Sequence, residues 1–202
     1  VGTIVSNQFC KDKGMYRVKQ YQSWTSMTYK ERSIYKVFTE IIDICKKNSL
    51  PQIIINEAKS LYKIISDTKI SRGNNRKGII AACVYFACKT CNVGRSSKEI
   101  ANMFYIKISI LTKGCKNFQN IINMSENKNR INTAESVIPE DFIDRFCNRL
   151  SLTTTDTNNI KNIAKKIQGL NLISDIRPDS FASGCILLYC NYNNIDIQKK
   201  QI

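Results

Sequence analysis

No histidine occurs anywhere in the 202 residues. Ser/His/Asp and Cys/His nucleophilic sites are thereby excluded, as is any zinc site that uses an imidazole. Neither G-x-x-x-x-G-K followed by Ser or Thr nor G-x-G-x-x-G is present, so a phosphate-cradling nucleotide loop has no support. The apolar run Ile79 to Cys88 is ten residues, too short for a membrane span, which needs about 20. With no signal peptide at the present N-terminus either, no membrane partner is expected. Val1 stands where a methionine would begin a chain, so an upstream segment is expected to have been removed.

Acidic residues are also scarce. Asp and Glu total 16 against 31 Lys and Arg, giving a net charge of +15 and a pI near 9.5. Such an excess points to a polyanionic partner. It is unevenly placed: Val1 to Arg130 holds 23 basic and 8 acidic residues, whereas Ile131 to Ile202 holds 8 of each. The apolar fraction of 43% suffices for one large core or two smaller ones.

The nine cysteines are an odd number, and Cys45, Cys83, Cys88, Cys147, Cys185 and Cys190 sit within apolar, helix-like patterns. There a thiol behaves as a small hydrophobe, and reduced, intracellular cysteines are expected. Cys88-Lys-Thr-Cys91 is a lone CxxC without a second pair at zinc spacing, so it reads as two core-side thiols one turn apart.

Val1 to Met27 interleaves Tyr16, Tyr21 and Trp24 with Arg17 and Lys19 without a clean helical period, and reads as an arm (1–27). Thr28-Tyr-Lys-Glu31 is a capping box, after which Ile34, Val37, Phe38, Ile41, Ile42 and Cys45 recur at three and four to about Lys47. Pro51 fits the first turn of a second helix carrying Ile54, Ala58, Leu61, Ile64 and Ile65. A third, apolar on every side, is expected from about Arg76. Such a helix must be surrounded. The basic stretch before it, Arg72 to Lys77, is either a phosphate seat at a helix N-terminus or an ordinary helix entry with solvated charges. Ser96-Ser-Lys-Glu99 opens a short fourth helix to Phe104, and Ile110 to Met124 makes a fifth. The polar "SENKNRINT", 125–133, reads as a linker.

Sliding the chain by 102 places aligns Ile41 with Ile143, Cys45 with Cys147, Leu50 with Leu152, Cys83 with Cys185 and Cys88 with Cys190. Whole helix patterns coincide, so two copies of one five-helix unit are expected, at 28–124 and 134–202. The second stops after its third helix.

At these residues a resemblance emerges. "RGNNRKGIIAACVYFACKT" with "VGRSSKEIANMF" resembles the first cyclin-type repeat of the transcription factor IIB family, and "DFIDRFCNRLSL" the opening of its second. The signature is carried by Arg95-Ser96-Ser97-Lys98-Glu99-Ile100. This implies an all-α fold of two tandem cyclin-like domains and a function without catalysis. The implied role is to bind the TATA-binding protein on bent promoter DNA, as a monomer, and to recruit DNA-directed RNA polymerase. It assigns Arg72, Gly73, Asn74, Arg76 and Lys77 to DNA beside the TATA element, with Arg95, Lys107, Lys113 and Lys116 as further contacts to the TATA-binding protein or the DNA backbone. Replacing Arg72 and Arg76 together is expected to weaken that complex while leaving helix content intact. The family's zinc ribbon lacks counterparts, since Cys10 stands alone before Cys45, so no cofactor is expected. The helix-turn-helix that closes the family's second repeat is likewise missing. The richness in Asn, Ile and Lys fits an A/T-rich genome such as that of a large DNA virus or a protist, placing the protein in the nucleus or at a site of viral transcription. Two other readings compete: a cyclin-like subunit that presents its groove to a kinase, and a non-specific nucleic-acid binder in which Trp24 stacks on bases.

Overall fold

The computed structural model describes residues 12–69, 71–124, 138–170, 176–195 and 197. The expected linker, 125–133, lies outside them. Among the described residues the regular structure is entirely helical: α1 Lys13–Ser26, α2 Tyr29–Lys47, α3 Gln52–Thr68, α4 Gly73–Thr90, α5 Ser97–Met103, α6 Ile108–Met124, α7 Glu140–Arg149, α8 Thr154–Gly169 and α9 Pro178–Tyr192. None is long and apolar enough to cross a membrane.

Both predicted capping boxes form. The Thr28 hydroxyl accepts from Glu31 N while Glu31 Oε2 accepts from Thr28 N, and Ser96 and Glu99 repeat the exchange at α5. A third, Thr153 with Asp156, opens α8. Pro51 is the N-cap of α3 rather than its first helical residue.

Two apolar clusters result. In one, α4 is the central helix: every residue from Gly78 to Cys88 is buried except half-buried Tyr85, and α2, α3, α5 and α6 surround it. Gly78 and Gly114 let α4 and α6 touch through their backbones, since a Cβ at Gly78 would lie 2.6 Å from the Ile110 carbonyl oxygen. Phe86 stacks on Phe118 with centroids 4.4 Å apart. The other cluster joins Phe142, Ile143 and Cys147 of α7, Ile160 and Ala164 of α8, and Phe181, Ala182, Cys185, Ile186 and Cys190 of α9.

The 102-residue correspondence extends to the backbone. Ser49 and Ser151 take φ of 53° and 55°, and Asn92 and Asn194 take 54° and 53°. Leu50 N donates to Cys45 O and Leu152 N to Cys147 O, each at 3.0 Å; Val93 N donates to Cys88 O and Ile195 N to Cys190 O, each at 2.9 Å. These are Schellman ends, in which the residue after the left-handed one reaches back five positions and its apolar side chain covers the last turn.

Three expectations change. The arm before Thr28 contains a helix, α1, capped by Asp12, whose carboxylate accepts from Gly14 N and Met15 N. It shows no apolar period because it is not built into a core: Tyr16, Val18, Tyr21 and Trp24 are half or more exposed. α4 begins at Gly73, not near Arg76, because polar Asn74, Asn75 and Arg76 continue the helix beyond its buried part. α6 begins two residues before Ile110.

Candidate nucleic-acid interface

Between Asp67 and Glu126 the sequence holds ten lysines and arginines and one acidic residue, Glu99. That carboxylate is fully engaged. It closes the α5 capping box and accepts two contacts of 3.0 Å from Arg145 Nη2. Within α4 to α6 themselves, then, no other acidic residue offsets the cations.

The N-terminus of α4 is the centre of that cationic group. Arg72 is the N-cap in extended conformation (φ −128°, ψ 161°) and gives no side-chain cap, so the first backbone N–H groups have no partner from it. Gly73 follows with φ +57°, the left-handed conformation glycine adopts without strain, and a Cβ there would meet nothing within 4 Å. The backbone at this point is open to close approach. Arg72, Asn74 and Lys77 are exposed beside it. Positive side chains, free N–H groups and the positive dipole end of an 18-residue helix converge, an arrangement suited to phosphate.

Arg76 differs from its neighbours. Its Nη2 donates to the Ser33 carbonyl oxygen at 3.1 Å and to Ser33 Oγ at 2.7 Å, tying α4 to α2. It also lies against Tyr62, where burial pushes the phenol upward and the guanidinium pulls it back. Arg76 thus has a structural task that sequence reading did not assign.

The other named cations separate. Lys113 and Lys116 are exposed on α6, and Lys107 is exposed in the turn before it. Arg95 lies apart, at the contact between the two apolar units. Its Nη1 is 3.9 Å from Glu99, and burial, with Arg145 beside it, holds its guanidinium below the usual value.

Two grooves flank the α4 N-terminus. One, of about 540 Å³, runs between α2 and α4 and is lined by Trp24, Tyr29, Arg32, Lys36 and Lys77, with Glu40 as its one carboxylate. The other, of about 610 Å³, lies between the α3–α4 turn and α6, with Lys69, Arg72, Asn75, Asn117 and Asn120 among its walls. Sequence reading passed over Lys69, Asn75, Asn117 and Asn120. The available signal was the lack of any acid from 100 to 125.

Among the described residues no three His, Cys, Asp or Glu side chains converge. The eight described cysteines are free, and burial raises the pKa of all of them, opposite to what a metal-binding thiolate needs.

Residues 30–121 match the family model of the transcription factor TFIIB repeat. A putative transcription initiation factor IIB-like protein of Acanthamoeba polyphaga mimivirus is 39% identical over 213 residues, covering all of this chain and 45% of the relative. Transcription initiation factor IIB of Xenopus laevis is 30% identical (84% of this chain, 51% of the relative), and that of Encephalitozoon cuniculi 29% (87% and 54%). The chain spans about half the length of the curated relatives it matches. Among solved structures, a viral cyclin from herpesvirus saimiri superposes at a TM-score of 0.42 with 17% identity, covering 85% of this chain and 74% of that one. The repeat match and the helix order agree on an all-helical, cyclin-like fold.

Proposed function

Because this chain belongs to the transcription factor IIB-like family, we propose that it acts in transcription initiation by binding promoter DNA together with the TATA-binding protein and bridging that complex to RNA polymerase. The observation that carries this reading is the cluster of exposed cations and uncapped backbone at the α4 N-terminus, where Arg72 and Lys77 flank Gly73. Arg72 and Lys77, with the free N–H groups at Gly73, would hold DNA phosphate. Lys107, Lys113 and Lys116 extend the positive face along α6 and the turn before it.

The role is one of binding rather than catalysis, and the unit acts as a monomer. Residues 28–124 form the first repeat, 125–133 form the connection and 134–202 belong to the second repeat, with 1–27 preceding the core on the polymerase side. The site of action follows that of the polymerase, in the nucleus or where a virus transcribes.

The decisive experiment is titration of the chain onto a labelled TATA-containing duplex, with and without TATA-binding protein, at several salt concentrations. Binding that requires the partner, with a steep salt dependence, is the expected result. Equal binding without it would replace this reading by a general nucleic-acid binder, and no binding in either case by a protein-interaction module.

A further inference from the structure

The groove between α2 and α4 changes character along its length. Tyr29, Arg32, Lys36 and Glu40 follow on α2 at intervals of three, four and four, so they form one stripe along its wall. Trp24 of α1 joins Tyr29 at one end, and Glu40 closes the other, roughly 16 Å from Tyr29 along the helix axis at its usual rise. The two hydrogen bonds from Arg76 to Ser33 bring the first turns of α4 beside the middle of this stripe, where Lys77 adds a third cation from the opposite wall. Aromatic rings, then cations, then a carboxylate succeed one another.

Arg32 marks the middle as a place for an anion. Among the described residues three side-chain nitrogens are buried without a hydrogen bond. Two of them, on Arg95 and Arg145, belong to guanidinium groups that face Glu99; the third, Arg32 Nε, belongs to a partly buried side chain with no ion pair or side-chain hydrogen bond among the described residues. Taking a charge out of water without a counter-ion costs stability, and an anion in the groove would offset that cost. Lys36 and Lys77 are exposed beside it and likewise have no ion pair among the described residues.

The two ends of the groove decide which anion. Trp24 and Tyr29 are 50% and 81% exposed, and an edge-on contact with Tyr21, centroids 5.4 Å apart, steadies Trp24, so aromatic surface is available to a planar base. Duplex DNA keeps its bases stacked on one another, and a single strand or an acidic peptide running on past Lys36 would meet the Glu40 carboxylate. A short ligand, with a base at one end and its charge ending before that carboxylate, escapes both objections. The volume of about 540 Å³ falls within the range of small-molecule sites, about 300–1,000 Å³. We propose that the groove between α2 and α4 binds a free purine nucleoside triphosphate, the base against Trp24 and Tyr29 and the phosphates on Arg32, Lys36 and Lys77. Side chains rather than a glycine-rich loop hold it, and it is bound without turnover. The site is separate from the proposed DNA seat, with which it shares Lys77.

Trp24 is the only tryptophan of the sequence, so its fluorescence reports on this groove. The test titrates ATP into the full chain, without DNA or TATA-binding protein, and follows both fluorescence and heat. Saturable quenching with a dissociation constant below about 1 mM is expected. AMP and inorganic tripolyphosphate should each bind roughly tenfold more weakly, the first for want of phosphates and the second for want of a base. Lys36→Ala and Arg32→Ala should each weaken ATP roughly tenfold. Lys63→Ala, which removes an exposed charge of α3 outside the groove, should change it by less than about twofold. Thermal melting verifies that the Arg32 variant folds, and exposed Lys36 carries the test if it does not. ATP that fails to bind, tripolyphosphate that binds as tightly as ATP, or a Lys36→Ala effect no larger than that of Lys63→Ala overturns the site. So does an oligoadenylate that binds more tightly than ATP, which would make the groove a path for a strand. Because no duplex enters this titration, each of these outcomes leaves the proposed DNA binding to be decided by its own experiment.

Discussion

Arg145, on α7, donates from Nη2 to Oε2 of Glu99, on α5, at 3.0 Å, and the same nitrogen pairs with Oε1 at 3.0 Å. The same carboxylate accepts from Ser96 N at 2.8 Å, so a helix cap and the contact between the two apolar units share one side chain. The guanidinium also lies 5.5 Å and 5.3 Å from the ring centres of Phe142 and Phe146, which hold it in place. Its Nη1 is buried without a hydrogen bond, as is Arg95 Nε. Removing the carboxylate would therefore leave two arginines facing each other, half-buried, with nothing between them.

Glu99→Gln is expected to lower stability by about 1–3 kcal/mol, below the full cost of breaking a wholly buried pair because both side chains retain some exposure. It should also loosen the two units, raising the radius of gyration in solution scattering. Pairing it with Arg145→Gln should cost less than the sum of the single changes, since the second removes the charge the first leaves stranded. Strict additivity, with unchanged scattering, would mean that this bridge does not hold the units together.

Gly114→Ala tests how closely α4 and α6 must pack. Alanine favours a helix over glycine by about 1 kcal/mol, but the added methyl would collide with the Gly78 backbone, which cannot rotate aside as a side chain could. The collision should win, with a net loss of about 1–3 kcal/mol in chemical denaturation. Gly184→Ala in α9 is the internal control. A methyl there meets nothing within 4 Å, and it should raise stability by up to about 1 kcal/mol.

Arg72 and Arg76 are four residues apart in a basic stretch and look equivalent in the sequence. They should separate by experiment. Arg76→Ala takes both hydrogen bonds from Ser33 and should cost about 1–2 kcal/mol of stability. Arg72→Ala removes an exposed side chain and should leave the melting temperature unchanged while reducing DNA affinity and the salt slope. The double replacement, expected to leave helix content intact, should thus still lower stability, through Arg76.

Much of the helical frame was legible because it rests on local chemistry. The boxes at Thr28 and Ser96 announce helix starts, and the small residues in the ten-residue apolar run tip it from buried strand to surrounded helix. Helix ends were less visible. The expected signal is glycine in the left-handed position, yet here Ser49, Asn92, Tyr105, Ser151 and Asn194 occupy it. What identifies these ends is the apolar residue that follows: Leu50, Val93, Ile106, Leu152 and Ile195 each donate back five positions. α1 was missed because an exposed helix has no need of an apolar period. Within the candidate site, spacing could mark the cations of 72–77 as one group, but only the fold could set Asn117 and Asn120 opposite Asn75, more than 40 positions away, or take Arg95 out to the contact with Arg145.

The thiols give the protein a defined limit towards alkali. Burial pushes Cys45 and Cys115 up from 9.0 to about 11 and Cys88 to about 12, and raises Cys83 further still. In the unfolded chain the same thiols ionise near 9, so above that pH the unfolded state binds fewer protons than the folded one. Stability from these groups is thus fully present below pH 9 and falls as pH rises from about 9 towards 11–12, by about 1.4 kcal/mol per pH unit for each thiol that stays protonated in the fold. Denaturant midpoints measured from pH 7 to 10.5 should be flat at first and then decline. Because lysines and tyrosines also titrate in that range, the informative quantity is the difference in slope between the wild-type chain and Cys45→Ala or Cys88→Ala. Each variant should be less stable at pH 7, through the cavity it opens, yet lose less on going to pH 10.5. Parallel slopes would show that these thiols ionise as readily in the fold as outside it, and that the α2–α4 core admits water.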